Sequence, residues 1–190
     1  LKEKLEMQKN FMEEVEQRGK DRIDSKRKKI DNLIFEKNDY VLSNLSMQDN
    51  INNLVEKQET FVGASKKLKE LGNLKGKISN KASTVKKEHK FFSKNTVCPT
   101  CTQDIDERFR LNKLDEAQQK AKELQSGFQE LEKAIENEEE RERQFVQLTK
   151  ESTKLTNEIS QNNVKISGCQ KQIRELESEI QTITNQLENR

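Results

Sequence analysis

Apolar residues along this chain fall into columns spaced seven apart, with polar residues between them. Leu33, Tyr40, Met47, Leu54, Phe61 and Leu68 form one column. Ile23, Ile30 and Ile51 lie in its companion, where Lys37 and Asn44 are polar exceptions. Ala64, Leu71, Ile78, Val85 and Phe92 form another unbroken run. In the second half, Phe145, Ser152, Ile159, Ile166, Ile173, Ile180 and Leu187 make one column, and Leu148, Leu155, Asn162, Cys169, Leu176 and Ile183 make the other. Alternating steps of three and four residues keep a stripe two side chains wide on one side of a helix, which is the seam of a coiled coil. The pattern predicts long helices that bury a narrow stripe and solvate the rest.

The only proline, Pro99, interrupts this pattern close to the midpoint, in the stretch Ser93 to Asp104. Proline lacks an amide donor and clashes with the preceding turn, so a helix is expected to stop here. Asn95 is a candidate left-handed terminator for the first helix. Asp104 with Glu107 three residues on reads as a capping box opening the second. The predicted organisation is an ascending arm 1–94, a loop 95–103 and a descending arm 104–190. The fold class is all-α, a long antiparallel coiled-coil hairpin with a C-x-x-C loop at its apex.

In such a hairpin the numbers of facing residues have a constant sum. Cys98 and Cys101 sum to 199, which would pair Val85 with Leu114, Leu71 with Phe128, Leu54 with Phe145, Leu33 with Ile166 and polar Lys37 with polar Asn162. Between Leu54 and Leu68, and again between Leu131 and Phe145, the spacing reads 4, 3, 3, 4. A three-residue irregularity at one height in both arms would overwind the coil there, which predicts a kink or weak point near Gly63 and the charged run Glu136 to Arg143.

Composition agrees with this architecture. Of 190 residues, 36 are basic, 34 are acidic and only 30% are hydrophobic, against the 45–50% apolar content typical of a globular domain. A core sized for an enzyme of this length is excluded, while a net charge of +2 is too small for a typical disordered chain. No apolar run approaches the ~20 residues of a membrane span and no signal peptide is present, so no membrane partner is expected. The seam is already running at Leu1 and still running at Arg190, which reads as a piece of something longer.

Charge is unevenly placed. Residues 1–97 carry 22 basic and 15 acidic side chains, and residues 98–190 carry 14 and 19, so the arms attract each other, each exposed pair contributing little. From Lys66 to Lys94 there are ten lysines and two acids, Glu70 and Glu88. Lys66, Lys67, Lys69, Lys77, Lys86, Lys87, Lys90 and Lys94 are therefore candidate contacts to a DNA backbone, with a solvated helical face as the alternative.

Candidate chemistry is confined to Cys98-Pro-Thr-Cys101. A two-residue gap lets both thiolates bind one tetrahedral metal ion, and structural zinc takes four ligands. His89, the only histidine, sits at a seam position and is expected to be a packed or rim residue. Cys169 lies 68 residues from Cys101, about 100 Å along a helix rising 1.5 Å per residue. The simplest completion is a second copy of the loop, giving one Zn2+ shared by two chains across a two-fold axis. The same pair could instead be a thiol–disulfide switch, one knuckle of a longer zinc site, or incidental. A cytosolic setting keeps thiols reduced and favours metal.

An antiparallel coiled coil interrupted at its apex by C-P-x-C resembles the zinc-hook segment of the SMC-like ATPases of DNA double-strand-break repair, of the SbcC type. The resemblance covers the whole chain as architecture and Val97 to Ile105 as motif. The stretch Cys98-Pro-Thr-Cys-Thr-Gln-Asp-Ile is most similar to T-even phage members, which act in recombination. It implies Cys98 and Cys101 as ligands, Pro99 as the residue shaping the turn, and a rigid tether joining two molecules through zinc. It also implies a parent that hydrolyses ATP, holds DNA and works with a metallophosphoesterase nuclease subunit in the cytoplasm, the host's if the source is a phage. In the family a glycine commonly follows the second cysteine, where this chain has Thr102. No G-x-x-x-x-G-K-[ST] occurs, and no nucleophile or acid–base pair stands out, so no catalysis is assigned to this segment. A redox-switched interaction module and a plain structural spacer remain the other two readings.

Overall fold

The computed structural model describes residues 2–189 and is all-α. Its elements are α1 (Lys2–Glu59), α2 (Ala64–Lys94) and α3 (Glu107–Glu188), with no strand among the described residues. The chain divides into two compact units, residues 1–55 with 150–190, and residues 56–149.

In the first unit α1 packs against α3, and the residues that lose solvent are those of the sequence columns. Gly19, Ile23 and Met47 are buried on α1, and Cys169 and Ile183 on α3. Ile30, Leu33, Lys37, Tyr40, Asn44 and Ile51 are half-buried between them. Gly19 lies so close to α3 that an added Cβ would stand 2.9 Å from Leu187 Cδ2. Lys26 pairs with Glu179, and Asn162 Nδ2 donates to Asn44 Oδ1 at 2.9 Å. Numbers rise on one helix as they fall on the other, so the two segments are antiparallel.

The register differs from the expected one. Gly19 with Leu187 and Asn44 with Asn162 both sum to 206, seven more than the 199 read from the cysteine pair. Asn162 therefore meets Asn44 and not Lys37. A slip of one heptad brings the same columns face to face, so periodicity alone cannot distinguish the two alignments. The polar exceptions can, because at a sum of 206 Asn44 and Asn162 satisfy each other, whereas at 199 Asn44 would face Leu155.

In the second unit α2 packs against the first part of α3. Ala64, Val85, Ala117 and Leu131 are buried, together with one carboxylate, Glu138, at 4% exposure. Leu68, Leu71, Ile78 and Phe92 are half-buried. Between α1 and α2, residues 60–63 leave the α-helical ladder. The amides of Thr60, Phe61 and Val62 bond three residues back, to Lys57, Gln58 and Glu59 at 3.3, 2.9 and 3.4 Å, a tighter winding than α. Gly63 follows at φ 86°, a left-handed conformation that glycine adopts without a Cβ clash.

The break belongs to the first arm alone. α3 runs unbroken through Glu136 to Arg143, which corrects the expectation of matched irregularities in both arms. Those charged residues instead service the break. Arg141 Nη2 donates to the Thr60 carbonyl at 2.9 Å, one of the acceptors that the end of α1 leaves without a helical partner. Arg141 is held by Glu138 at 3.0 and 2.9 Å, and Lys67 reaches the same carboxylate at 3.0 Å. Paired residues sum to 201 in the loop (Val97 with Asp104) and to 207 at Gln58 with Thr149.

Candidate metal centre

α2 ends at Lys94 because its last turn closes on itself and the sequence then turns extended. The Asn95 amide bonds the Phe91 carbonyl at 3.1 Å and its side-chain amide donates to the same oxygen at 2.8 Å. Asn95 itself is extended, at φ −121° and ψ 123°, and not the left-handed cap expected of it. Arg110 Nη1 reaches back from α3 to the Phe92 carbonyl at 3.1 Å while its guanidinium is gripped by Glu107 at 3.0 and 2.6 Å. That grip raises the Arg110 pKa and lowers that of Glu107.

α3 opens on Asp106, whose carboxylate accepts from the Phe109 amide at 3.0 Å. Asp106 is thus the N-cap. The expected capping box at Asp104 is corrected: Asp104 is engaged in an isolated bridge with Val97, three residues before α3 begins at Glu107.

Between these caps the loop is a small knuckle. The Ile105 amide bonds the Thr96 carbonyl at 2.9 Å and the Cys98 amide bonds the Gln103 carbonyl at 2.8 Å. These two rungs leave Pro99, Thr100, Cys101 and Thr102 as the turn, closed by the Thr102 amide on the Cys98 carbonyl at 2.9 Å. Proline at the first turn position fixes φ and needs no donor there. Thr102 takes φ 59°, the left-handed region that is costly for a β-branched residue. Its hydroxyl donates to the Cys101 carbonyl at 2.7 Å.

The turn brings both sulfurs to one place. Cys98 is half-buried and Cys101 exposed, and both are free thiols. The Cys101 backbone amide, then that of Thr100, donates to the Cys98 sulfur, and the Cys101 side chain hydrogen-bonds it as well. These donors hold the Cys98 thiol below the ordinary cysteine value, against a smaller opposing effect of burial. Donors of this kind favour the thiolate over the thiol, and the thiolate is the form that binds metal and attacks disulfides. Two thiolates are a donor pair of the kind zinc takes, and a structural zinc takes four such ligands. Among the described residues, no three His, Cys, Asp or Glu side chains gather where they could hold a metal ion. His89 is half-buried along the seam and borders an apolar groove of about 640 Å³ with Ile78, Val85, Ala117 and Phe128. Cys169 is buried in the other unit.

Apolar groups surround the knuckle. The Phe92 ring meets Phe91 edge-on at 5.1 Å and Phe109 at 5.9 Å. Phe91 and Phe109 stay 37% and 50% exposed, and Val97 and Leu111 are exposed as well. Phe92 was legible as the end of an apolar column, but the cluster was not, because Phe91 and Phe109 lie off every column.

The candidate lysines divide. Lys67 is committed to Glu138, while Lys66, Lys69, Lys77, Lys86, Lys87, Lys90 and Lys94 are all exposed. No helix among the described residues is long and apolar enough to cross a membrane. No family model, curated protein or solved structure matches this chain.

Proposed function

We propose that this chain is an antiparallel coiled-coil hairpin that self-associates at its apex, its Cys98 and Cys101 sharing one zinc ion with the same two residues of a second copy. The observation carrying this reading is the knuckle itself: two free thiols, Cys98 and Cys101, in one tight turn closed by the Thr102 amide on the Cys98 carbonyl. Zinc bound there would supply a structural cross-link, with Cys98 and Cys101 as thiolates and Pro99 shaping the turn. The exposed rings of Phe91 and Phe109 support a surface that meets another protein, since contiguous apolar groups on a soluble chain mark such sites.

On this reading the segment resembles the zinc hook of an SMC-like ATPase of DNA repair and recombination, and acts mechanically. The parent would supply ATP hydrolysis, DNA holding and a metallophosphoesterase nuclease partner, in the cytoplasm, and the hook would tether two such assemblies or the two arms of one. The lowered thiol pKa of Cys98 also favours a second reading, in which an external two-electron oxidant takes two electrons and two protons from Cys98 and Cys101, leaving a disulfide that releases the partner.

Zinc content and solution mass, measured together, separate these readings. A dimer with half a zinc per chain that dissociates on chelation supports the hook. A metal-free monomer with an oxidisable dithiol supports the switch. Dimerisation unaffected by Cys98→Ser and Cys101→Ser would make the segment a plain spacer.

A further inference from the structure

The solvent side of α2 carries charge of one sign with almost nothing to balance it. Ala64, Leu71, Ile78, Val85 and Phe92 mark the seam, and the positions two, five and six residues beyond each of them lie on the far side of the helix. Those positions hold Lys66, Lys69, Lys77, Lys87, Lys90 and Lys94, all exposed, against one acid, Glu70. Asn73, Gly76, Asn80, Ser83 and Thr84 fill the rest, with Phe91 at the loop end.

A solvated coiled-coil face ordinarily mixes its signs so that neighbours pair. α1 does this, with Lys9–Glu13, Arg18–Glu14 and Lys20–Glu16. Among the described residues, the ion pairs of α2 are those of Lys67 and Lys75, each to α3, and neither lies on this side. Six cations on one face repel one another unless an anionic partner neutralises them.

The chemistry of the face selects the partner. A protein interface needs apolar anchors, and here the residues between the lysines are small and polar. Hydroxyls, amides and a bare glycine let a phosphate chain approach and donate hydrogen bonds to it. Single strands need aromatic platforms for their bases, which the face lacks over all but its last turn. The 29 residues from Lys66 to Lys94 span about 42 Å at 1.5 Å per residue step, roughly 12 base pairs of duplex at 3.4 Å each. We propose that the outward side of α2 binds the phosphate backbone of duplex DNA without reading its sequence. This goes beyond the metal-mediated association above and does not depend on it.

The test uses the whole chain carrying Cys98→Ser and Cys101→Ser, so that hook chemistry plays no part. Anisotropy of a labelled 30-base-pair duplex is followed from about 50 to 200 mM KCl. Five or six phosphate contacts give a log–log slope of affinity on salt of about −5. Adding Lys66→Gln, Lys69→Gln, Lys77→Gln and Lys87→Gln is expected to weaken binding at least tenfold at 50 mM and to flatten the slope by three to four. Lys90→Gln with Lys94→Gln, a milder pair, is expected to flatten it by about two. Undetectable binding at 50 mM, or variants that bind like the parent, would overturn the proposal. Equal affinity for polyglutamate of matched charge would also overturn it, marking the face as a site for acidic proteins.

Discussion

Asn162 donates to Asn44 across the seam at 2.9 Å, and Asn44 donates in turn to Asn163 at 3.0 Å. Both asparagines interrupt apolar columns, and each is the other's reason for being tolerated there. A polar pair in a coiled-coil seam costs stability compared with leucines but penalises other alignments, where the two amides would lose each other as partners. Replacing both, Asn44→Leu with Asn162→Leu, is expected to stabilise the coil by roughly 1 kcal/mol, or ~2–4 °C in Tm. The variant should also populate more than one register, seen as doubled amide signals for residues near 44 and 162. A Tm that falls would show that the pair contributes attraction and not merely alignment.

The register itself can be trapped with a native side chain. Cys169 is buried in the seam, and a sum of 206 places Lys37 opposite it, whereas 199 would place Ile30 there. With Cys98 and Cys101 replaced by serine, Lys37→Cys is expected to form an intrachain disulfide with Cys169 under mild oxidation. Ile30→Cys is not, because a heptad of offset is about 10 Å along the axis, beyond disulfide reach. Peptide mass mapping reads the result, and the opposite outcome would restore the alignment inferred from the cysteine loop.

These two cases show how far the amino-acid pattern reaches. Which residues lie in the seam was legible, because burial follows the three-four spacing from Ile23 to Ile183 with little ambiguity. Their partners were not, because columns seven apart are equivalent for any alignment that slips by a heptad. The position of the loop was legible from Pro99, yet its caps were misplaced: Asp106 and Asp104 are chemically alike, and only the geometry of the Val97–Asp104 bridge decides which one caps. The break at Thr60 to Gly63 was visible as a skipped residue. Its confinement to one arm was not, since Glu136 to Arg143 carries the same skip in spacing and absorbs it within a continuous helix.

At that break, Glu138 is buried between Lys67 and Arg141, and the Lys67 hydrogen bond, then that of Arg141, holds its carboxyl below the usual range. A carboxyl depressed in the folded state contributes stability above its unfolded pKa and loses it as pH falls through the folded value. The wild-type chain is therefore expected to lose Tm from about pH 4.5 downward, together with contributions from Glu16, Glu107, Glu140 and Glu179, which are depressed in the same direction. Glu138→Gln is expected to melt on the order of 5 °C lower at pH 7, with the gap to wild type closing below pH 4. A gap that stays constant down to pH 3 would show that the carboxylate's charge plays no part in the clamp.

Thr102 holds φ 59°, and a β-branched side chain there crowds the backbone by an amount worth about 1–2 kcal/mol. Two things work against removing it: glycine is more disordered when the chain unfolds, by about 0.4–1 kcal/mol, and the hydroxyl's bond to the Cys101 carbonyl is lost. The balance favours glycine by up to about 1 kcal/mol. Because the arms melt as a larger unit, global Tm is a poor reporter and local opening is the quantity to follow. The Cys98 amide, bonded to the Gln103 carbonyl at 2.8 Å, closes the knuckle and reports on it. Thr102→Gly is expected to slow hydrogen exchange at that amide about threefold to fivefold, and Thr102→Val, which keeps the branch and loses the hydroxyl, to accelerate it. Faster exchange in Thr102→Gly would mean that the threonine hydroxyl, and not the backbone strain, governs how tightly the two cysteines are held together.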